Sequence, residues 1–277
     1  MDTRKLLDDF ATLLTPRTAS PSSSTVEAFL SLLEPDIAEA VRRSAIPHEI
    51  TPSVLQVLLP SLAPERIRAL CGRIATYSFA IPDGDGGFSF HDQTRQELFE
   101  WWLLHADPIL FADLSNALVT EYSRALDNLA EAESELYEML LRKRMYHLVG
   151  ANQTKGFSEF ERLLGRARYQ RRFSECAALV KLMQDYNAVL NKTHLAWLTY
   201  HEGKLAADRN QVEIAEQLFH KLLNMAEAPP ASKAAALMRV GNLKHRASQM
   251  DTARELYLAA LNLAESNQTG GRIIARI

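Results

Sequence analysis

The sequence predicts a mainly α-helical protein that carries one β-hairpin and ends in stacked helix pairs, an α-solenoid. Apolar residues make up 47% of the chain, and only 11 glycines interrupt it, which favours helix. A pattern of small and aromatic residues recurs near the C-terminal end. Strand-like alternation is convincing only around residues 77–90, so we expect little sheet.

The repeated pattern places a glycine on one helix and an alanine and an aromatic residue on the next. It reads Gly241, Ala253 and Tyr257 in one copy and, 38 residues earlier (241 minus 203), Gly203, Ala215 and Phe219 in another. Small residues let two antiparallel helices approach each other, and the aromatic ring fills the seam between them. This spacing resembles the tetratricopeptide repeat, whose ideal period is about 34 residues.

A third copy is predicted upstream, with Gly165 in the glycine position and with Cys176 and Val180 on the second helix. Its turn at Gln170–Arg172 looks one residue short. One helix pair cannot bury its apolar face alone, whereas about three stacked pairs form a stable array with a binding surface. We therefore assign residues 156–277 to about three tetratricopeptide-like repeats, the last one truncated, that bind a protein or peptide.

Composition and charge narrow the classes of function. A formal net charge of −3 gives no positive field that would attract nucleic acid or an anionic membrane. Cys71 and Cys176 lie far apart in helical patterns, as expected for buried thiols in a reducing compartment. The N-terminus lacks the apolar core of a signal peptide, and no stretch is apolar enough to span a membrane. We expect a cytoplasmic protein.

The chain has an apolar ending, Ile273–Ile277, where a polar capping helix is usual, which favours a fragment or a split polypeptide.

The chain upstream of the repeats divides into three parts. Residues 1–24 combine a short helix at Arg4–Leu14 with a Pro/Ser linker. Residues 25–106 hold several helices and the hairpin, and residues 107–155 form a helical bridge. A loop is expected near the end of the bridge, at Gly150–Thr154.

The hairpin is the most informative feature of residues 25–106. Tyr77, Phe79 and Ile81 alternate with small residues, a turn follows at Asp83–Gly87, and Phe88-Ser89-Phe90 forms the return strand. Helices followed by such a hairpin are typical of a winged-helix module. A helix follows the hairpin, and Asp92 is its expected N-cap.

Two short signatures add a family resemblance. Phe90-His91-Asp92 stands directly before a helix, and Tyr146-His147-Leu148 lies in the bridge. Together with the order of helices, hairpin, bridge and repeats, they resemble the C-terminal half of STAND signalling NTPases, the NB-ARC and NOD-like class, in its bacterial tetratricopeptide form. The first signature looks like the family's Met-His-Asp motif, with Phe90 in place of Met. The resemblance covers roughly residues 25–277.

The resemblance implies a role for His91. In that family the winged-helix histidine contacts the phosphates of a bound adenine nucleotide, and the repeats sense a ligand or partner. This chain has no Gly-x-x-x-x-Gly-Lys-Ser/Thr loop, since Gly203-Lys204 lies in a repeat helix and lacks the rest of that motif. We therefore expect no cofactor, and contact of His91 with ATP or ADP only if another polypeptide supplies the NTPase domain.

Five arginines are the other candidate binding residues, as a contact for an acidic partner surface or for a nucleic acid: Arg142, Arg144, Arg166, Arg168 and Arg172. The competing interpretation is a solvated face with helical ion pairs, because acidic residues interleave with them. The histidines do not show metal-ligand spacing, and we find no nucleophile–base set. The sequence therefore predicts neither a metal site nor an enzyme.

Two alternatives to the STAND-like sensor remain. The first is a DNA-binding transcription regulator with a repeat sensor domain, in which Pro64–Thr76 would be the recognition helix. Asp83 and Asp85 in the wing would repel phosphate and make nucleic acid an unlikely partner. The second is a standalone adaptor that binds proteins through its repeats and needs no NTPase.

Overall fold

The protein is mainly helical, as predicted, in a computed structural model that describes residues 23–129 and 134–265. The chain forms two compact units, Met1–Glu159 and Phe160–Ile277. The predicted helix at Arg4–Leu14 and the apolar ending Ile273–Ile277 lie outside the described residues. The first described helix begins at Ser23, inside the stretch that we assigned to the linker.

The described part of the first unit contains helices α1 to α7 and one two-stranded sheet. The bounds are α1 Ser23–Ser31, α2 Pro35–Ser44, α3 Pro52–Leu58, α4 Pro64–Ile74, β1 Ala80–Pro82, β2 Phe88–Phe90, α5 Asp92–Leu104, α6 Pro108–Asp127 and α7 Ser134–Ala151.

Proline and capping residues determine where several of these helices begin. Pro52 starts α3, and the side chain of Thr51 accepts a hydrogen bond from the Val54 N–H at 3.2 Å. Asp107 caps α6 in the same way by accepting from the N–H of Ile109 at 2.9 Å. The prediction for α5 is wrong, because His91 is its N-cap residue and Asp92 is already inside the first turn.

The hairpin is antiparallel, and Ala80 pairs with Phe90. Its first strand is shorter than predicted, because Tyr77 and Ala80 donate their N–H groups to carbonyls three residues back and so form turns after α4. The alternation also fails at Ile81, whose side chain is exposed. Phe88 and Phe90 of the return strand are both buried, and they anchor the hairpin to the core.

A third segment extends the hairpin. Ile50, which lies between α2 and α3, exchanges two backbone hydrogen bonds with Phe88, at 2.8 and 2.9 Å. The strands approach so closely that a Cβ atom at Gly87 would lie 2.1 Å from the Ile50 carbonyl oxygen. Glycine is therefore required at this end of the predicted turn.

The loop predicted at Gly150–Thr154 is a single residue in the structure. Helix α7 ends at Ala151 and α8 (Gln153–Tyr169) begins two residues later. Asn152 makes this possible, because its side chain accepts a hydrogen bond from the Lys155 N–H at 3.0 Å.

The second unit begins within α8, and its described residues, 160–265, form antiparallel helix pairs. Its further helices are α9 Phe173–Gln184, α10 Lys192–Asp208, α11 Val212–Leu223, α12 Pro230–Arg246 and α13 Met250–Glu265. We call α8 with α9 the first pair, α10 with α11 the second pair and α12 with α13 the third pair.

The same three-residue turn joins the helices of every pair. Its middle residue has a positive φ in each case, 57° at Arg171, 60° at Asn210 and 62° at Ser248. The residue that follows donates its N–H to a carbonyl five positions back, at 2.8 to 2.9 Å, which closes the helix end in a Schellman arrangement. The turn at Gln170–Arg172 is thus not short, and the three pairs are structurally equivalent at this point.

A glycine on the first helix packs against an aromatic ring on the second helix at equivalent positions of two of the pairs, when the pairs are aligned on their turns. A Cβ atom at Gly203 would lie 2.7 Å from the ring of Phe219, and one at Gly241 would lie 2.6 Å from the ring of Tyr257. The predicted contact of glycine with an aromatic ring is confirmed in the second and third pairs. In the first pair the alignment puts Leu164, not Gly165, in the glycine position.

In the first pair the larger of the two aligned residues lies on the first helix and the smaller one on the second helix. Leu164 stands opposite the smaller Val180, and both side chains are buried. A Cβ atom at Gly165 would meet nothing within 4 Å, so the role that we predicted for Gly165 is wrong. By this alignment the larger residue of the first pair lies on the first helix, whereas in the second and third pairs it lies on the second helix.

The glycines supply a matched test of this packing. We expect Gly203→Ala to destabilise the protein by about 1–3 kcal/mol, because the buried Phe219 ring has no room to move aside. Gly165→Ala should instead stabilise by roughly 0.5–1 kcal/mol, since it adds helix propensity in open space. Urea denaturation of both variants and the wild type measures the difference. Equal effects would contradict the packing described here.

Candidate functional site

His91 lies on the surface directly after the hairpin. Its backbone N–H donates to the Phe79 carbonyl at 3.1 Å, and its carbonyl accepts from the Arg95 N–H at 2.9 Å. The imidazole makes no capping hydrogen bond and is exposed at the N-terminal end of α5. The backbone therefore fixes the position of His91 while the side chain stays accessible to a ligand.

The bridge signature lies in the core of the first unit. Tyr146 and His147 are buried, and Arg95, itself buried, donates a hydrogen bond to the Tyr146 hydroxyl. The Arg95 guanidinium also lies 5.0 Å from the ring centre of Phe99. Aromatic rings and a hydroxyl thus compensate the buried charge of Arg95.

His147 is enclosed by other groups of this cluster. Its ring stacks on Tyr122 with centroids 5.6 Å apart, and its Nδ1 atom has no hydrogen-bond partner among the described residues. Burial holds the pKa of His147 well below its usual 6.5, and the charges of His48, Arg95 and Lys143 lower it further. His147 is therefore neutral at neutral pH.

The predicted arginine contact is divided between the two units, and most of its members form ion pairs. In the first unit, Arg144 pairs with Glu159 at 2.9 Å, while Arg142 is half-buried. In the second unit, Arg166 and Arg168 lie on α8 and Arg172 precedes α9. Arg172 pairs with Glu175 at 2.9 Å. These pairs favour the interpretation of a structural, ion-paired set over a free basic surface.

Arg168 differs because it belongs to a group around Lys204 on α10. Tyr200, Lys204 and Asp208 are spaced four residues apart, so they follow one face of α10. At one end Arg168 pairs with Asp208 at 3.4 Å, and at the other Arg239 of α12 donates to the Tyr200 hydroxyl at 3.3 Å. We call these five residues the Lys204 cluster.

The charges of the Lys204 cluster do not balance. It contains three cationic side chains and a single carboxylate, that of Asp208. Burial lowers the pKa of Lys204 from 10.5 to about 8, and the charges of Arg168 and Arg239 lower it further, against the opposing effect of Asp208. Within the described residues, Lys204 forms no hydrogen bond or ion pair of its own.

His201 borders the Lys204 cluster on the same helix. Its Nε2 atom lies 3.6 Å from a carboxylate oxygen of Glu161, which is beyond hydrogen-bond length. Its ring packs edge-on against Phe160 and Tyr200. Burial lowers the pKa of His201, although Glu161 opposes the shift.

Lys204, Arg239 and His201 were not among the residues that we selected from the sequence. One signal was present: when the pairs are aligned on their turns, Arg162, His201 and Arg239 occupy the same position on the first helix. A basic or imidazole side chain thus recurs in all three pairs. The imbalance around Lys204 could not be read from the sequence, because it depends on α8 and α12 converging on α10.

The thiols and the metal-ligating side chains give no reactive centre in the described part of the chain. Burial raises the pKa of Cys71 to about 11 and also raises that of Cys176, which disfavours the thiolate. In residues 23–129 and 134–265, no three His, Cys, Asp or Glu side chains are grouped closely enough to hold a metal ion. Over the same residues no helix is both long and apolar enough to cross a membrane.

Comparison of the chain with models of known protein families gave no match, and comparison with curated proteins gave none either.

The buried histidines predict an acid-sensitive fold. Below pH 6.5 the unfolded chain binds a proton at His147 that the folded chain does not, so stability falls as the pH falls below 6.5. We expect urea denaturation between pH 7 and pH 5 to show this loss, at up to about 1.4 kcal/mol per pH unit for each such group. His147→Phe, which keeps an aromatic ring against Tyr122, should reduce the slope. His105→Phe, at an exposed position, serves as control and should leave it unchanged.

Lys204 predicts a pH dependence of the same sign as that of His147, in an alkaline range. A lysine whose folded pKa is depressed destabilises the fold below that pKa, and the penalty disappears as the pH rises from about 8 to 10.5. Lys204→Met should therefore stabilise the protein at pH 7, by about 1 kcal/mol after allowance for partial exposure, and should lose its advantage above pH 10.5. The exposed control Lys221→Met should show no such change. A destabilised Lys204→Met variant at pH 7 would contradict this assignment.

Proposed function

We propose that the chain is a non-catalytic interaction and sensor module of the cytoplasm. The helix pairs bind a protein or peptide, and the first unit relays that event to a STAND-type ATPase domain on another polypeptide. The observation that carries the proposal is the threefold recurrence of one turn geometry in the second unit, at Arg171, Asn210 and Ser248. Such repeats cannot bury their apolar faces alone, and stacked arrays of them commonly act as binding scaffolds.

The first helices of the pairs provide the proposed binding face. Trp197, His201 and Lys204 lie on one side of α10 by helical spacing, and each is partly accessible. Aromatic and cationic side chains of this kind are enriched at protein interfaces.

The first unit supports a winged-helix assignment. Chain order runs from α2 through the bridging residue Ile50 to α3, α4 and the hairpin. His91 follows the return strand, and the N-terminal end of the 13-residue helix α5 favours a negative charge beside it. Asp92 lies in the same turn, and its negative charge offsets part of the positive field at this helix end. In the proposed relay, the phosphates that His91 contacts belong to a nucleotide bound by a partner domain.

Relay of the binding event requires two arrangements of the complete assembly. A partner that binds the repeats must prefer one of them, because a ligand with equal affinity for both shifts nothing. Under this mechanism the chain contributes the ligand-binding face and His91, and the ATPase domain contributes the nucleotide.

DNA binding is not favoured by the ion pairs of α4. Each arginine of the candidate recognition helix has a carboxylate partner: Arg66 with Asp36, Arg68 with Glu65, and Arg73 with Glu34. Contact with DNA phosphates would have to break these pairs, and the wing adds Asp83 and Asp85.

A pull-down of the full chain from lysate of its source organism tests the relay. We expect an NTPase subunit among the captured proteins, and we expect His91→Ala to abolish its capture. His105→Ala is the matched control, because His105 is also an exposed histidine of the first unit. If the same proteins are captured with and without His91→Ala, the chain acts as an adaptor that needs no NTPase, and the relay is contradicted.

Photo-crosslinking tests the binding face separately. p-Benzoylphenylalanine introduced at Trp197 should crosslink to the captured partner, whereas the same group at the exposed Ile214 of α11 should not. Equal crosslinking from both positions would contradict a face on α10.

A further inference from the structure

The Lys204 cluster carries a more specific assignment of the ligand. This assignment rests on the proposed function, since it names the chemistry that the binding face recognises. It begins from the geometry of α10, where Lys204 lies between Tyr200 and Asp208, and where Arg239 and Arg168 approach the two ends of that row.

The three cations of the cluster differ in how they are compensated. Arg168 shares a carboxylate with the protein through Asp208. Arg239 donates only to the neutral hydroxyl of Tyr200, and Lys204 has no hydrogen-bond or ion-pair partner among the described residues. In addition, Nη2 of Arg168 is buried without a hydrogen-bond partner in that part of the chain. Donors of like charge therefore converge on Lys204 with too few acceptors.

A comparison within the same unit indicates that this imbalance is local. Lys244 on α12 has a similar partial exposure, and it forms an ion pair with Glu216 at 2.7 Å. Partly buried charges are normally compensated in this way, because desolvation without a partner is unfavourable. Lys204 carries the cost without the compensation, and an external anion would supply the missing acceptor.

The surroundings favour a carboxylate on a peptide over a densely charged polyanion. Asp208 within the cluster and Glu161 beside His201 would repel a chain of closely spaced phosphates. Trp197, which is only partly buried, offers apolar surface for the aliphatic part of a peptide side chain. A guanidinium next to an ammonium matches the two oxygens of a carboxylate.

We propose that the Lys204 cluster is an anion site that holds a carboxylate of an acidic peptide segment between Lys204 and Arg239. Binding relieves the repulsion between these cations and pairs donors that the fold leaves without acceptors. The acidic segment belongs to the protein partner of the repeats, and Trp197 contacts its neighbouring residues.

The test uses the full chain and a fluorescein-labelled hexaglutamate peptide, with binding followed by fluorescence anisotropy at low salt. We expect Lys204→Gln and Arg239→Gln each to weaken binding about tenfold or more, as for the loss of one charge-assisted hydrogen bond. Lys221→Gln removes the same charge from an exposed site on α11 and should change the affinity less than about twofold. Circular dichroism establishes that each variant is folded.

Three results would overturn the assignment. One is equal weakening by all three variants, which would indicate attraction by net charge alone. Another is the absence of hexaglutamate binding by the wild type at millimolar peptide. The third is displacement of the peptide by inorganic phosphate, or by oligouridylate, at concentrations far below those needed for acetate. The two tests can also disagree. If position 197 crosslinks to the partner but hexaglutamate binding does not depend on Lys204, the proposed binding face is supported and the anion site is refuted.

Discussion

The close approach of the two helices within the second and third pairs is the constraint on which the rest of the second unit depends. The ring of Phe219 lies where any side chain at position 203 would have to be, so the backbone of α10 packs directly against this side chain of α11. The positive φ at Asn210 turns the chain back at the distance that this contact requires. With the pair held in this way, its apolar residues on both helices form one side of a shared core with the next pair, which includes Phe219, Val240 and Leu243.

The same constraint determines which side chains are left for a ligand. In the second and third pairs a glycine meets an aromatic ring where the two helices cross, and the core that these pairs share is apolar. The remaining side of α10 carries Lys204. This side chain is not needed for packing, and its partial burial disfavours its charged form. Local departures from the rules of stable folding concentrate at functional sites, because selection for function tolerates their cost.

Much of this arrangement could be predicted from the sequence. Gly203 with Phe219 and Gly241 with Tyr257 revealed two pairs through size and spacing alone. The register of the first pair could not be found by searching for glycine, because Leu164 and Val180 exchange the sizes of the two partners. The missing loop at Asn152 and the imbalance at Lys204 depend on individual hydrogen bonds and on contacts between helices distant in sequence.

Compensation of charge separates the structural polar groups of this chain from the candidate functional ones. Arg95 is more deeply buried than Lys204, yet it is held by the Tyr146 hydroxyl, the Pro47 carbonyl and the face of Phe99. Its charge is stabilised inside the fold, so it has no need of a ligand and serves to fix α5 against α7. Lys204 is only partly buried, and its nearest charges include two cations. If depth of burial were the only criterion, Arg95 would be the first candidate for an anion-binding residue. The number of acceptors that the fold provides for each cation instead selects Lys204 as the residue that an external anion would stabilise.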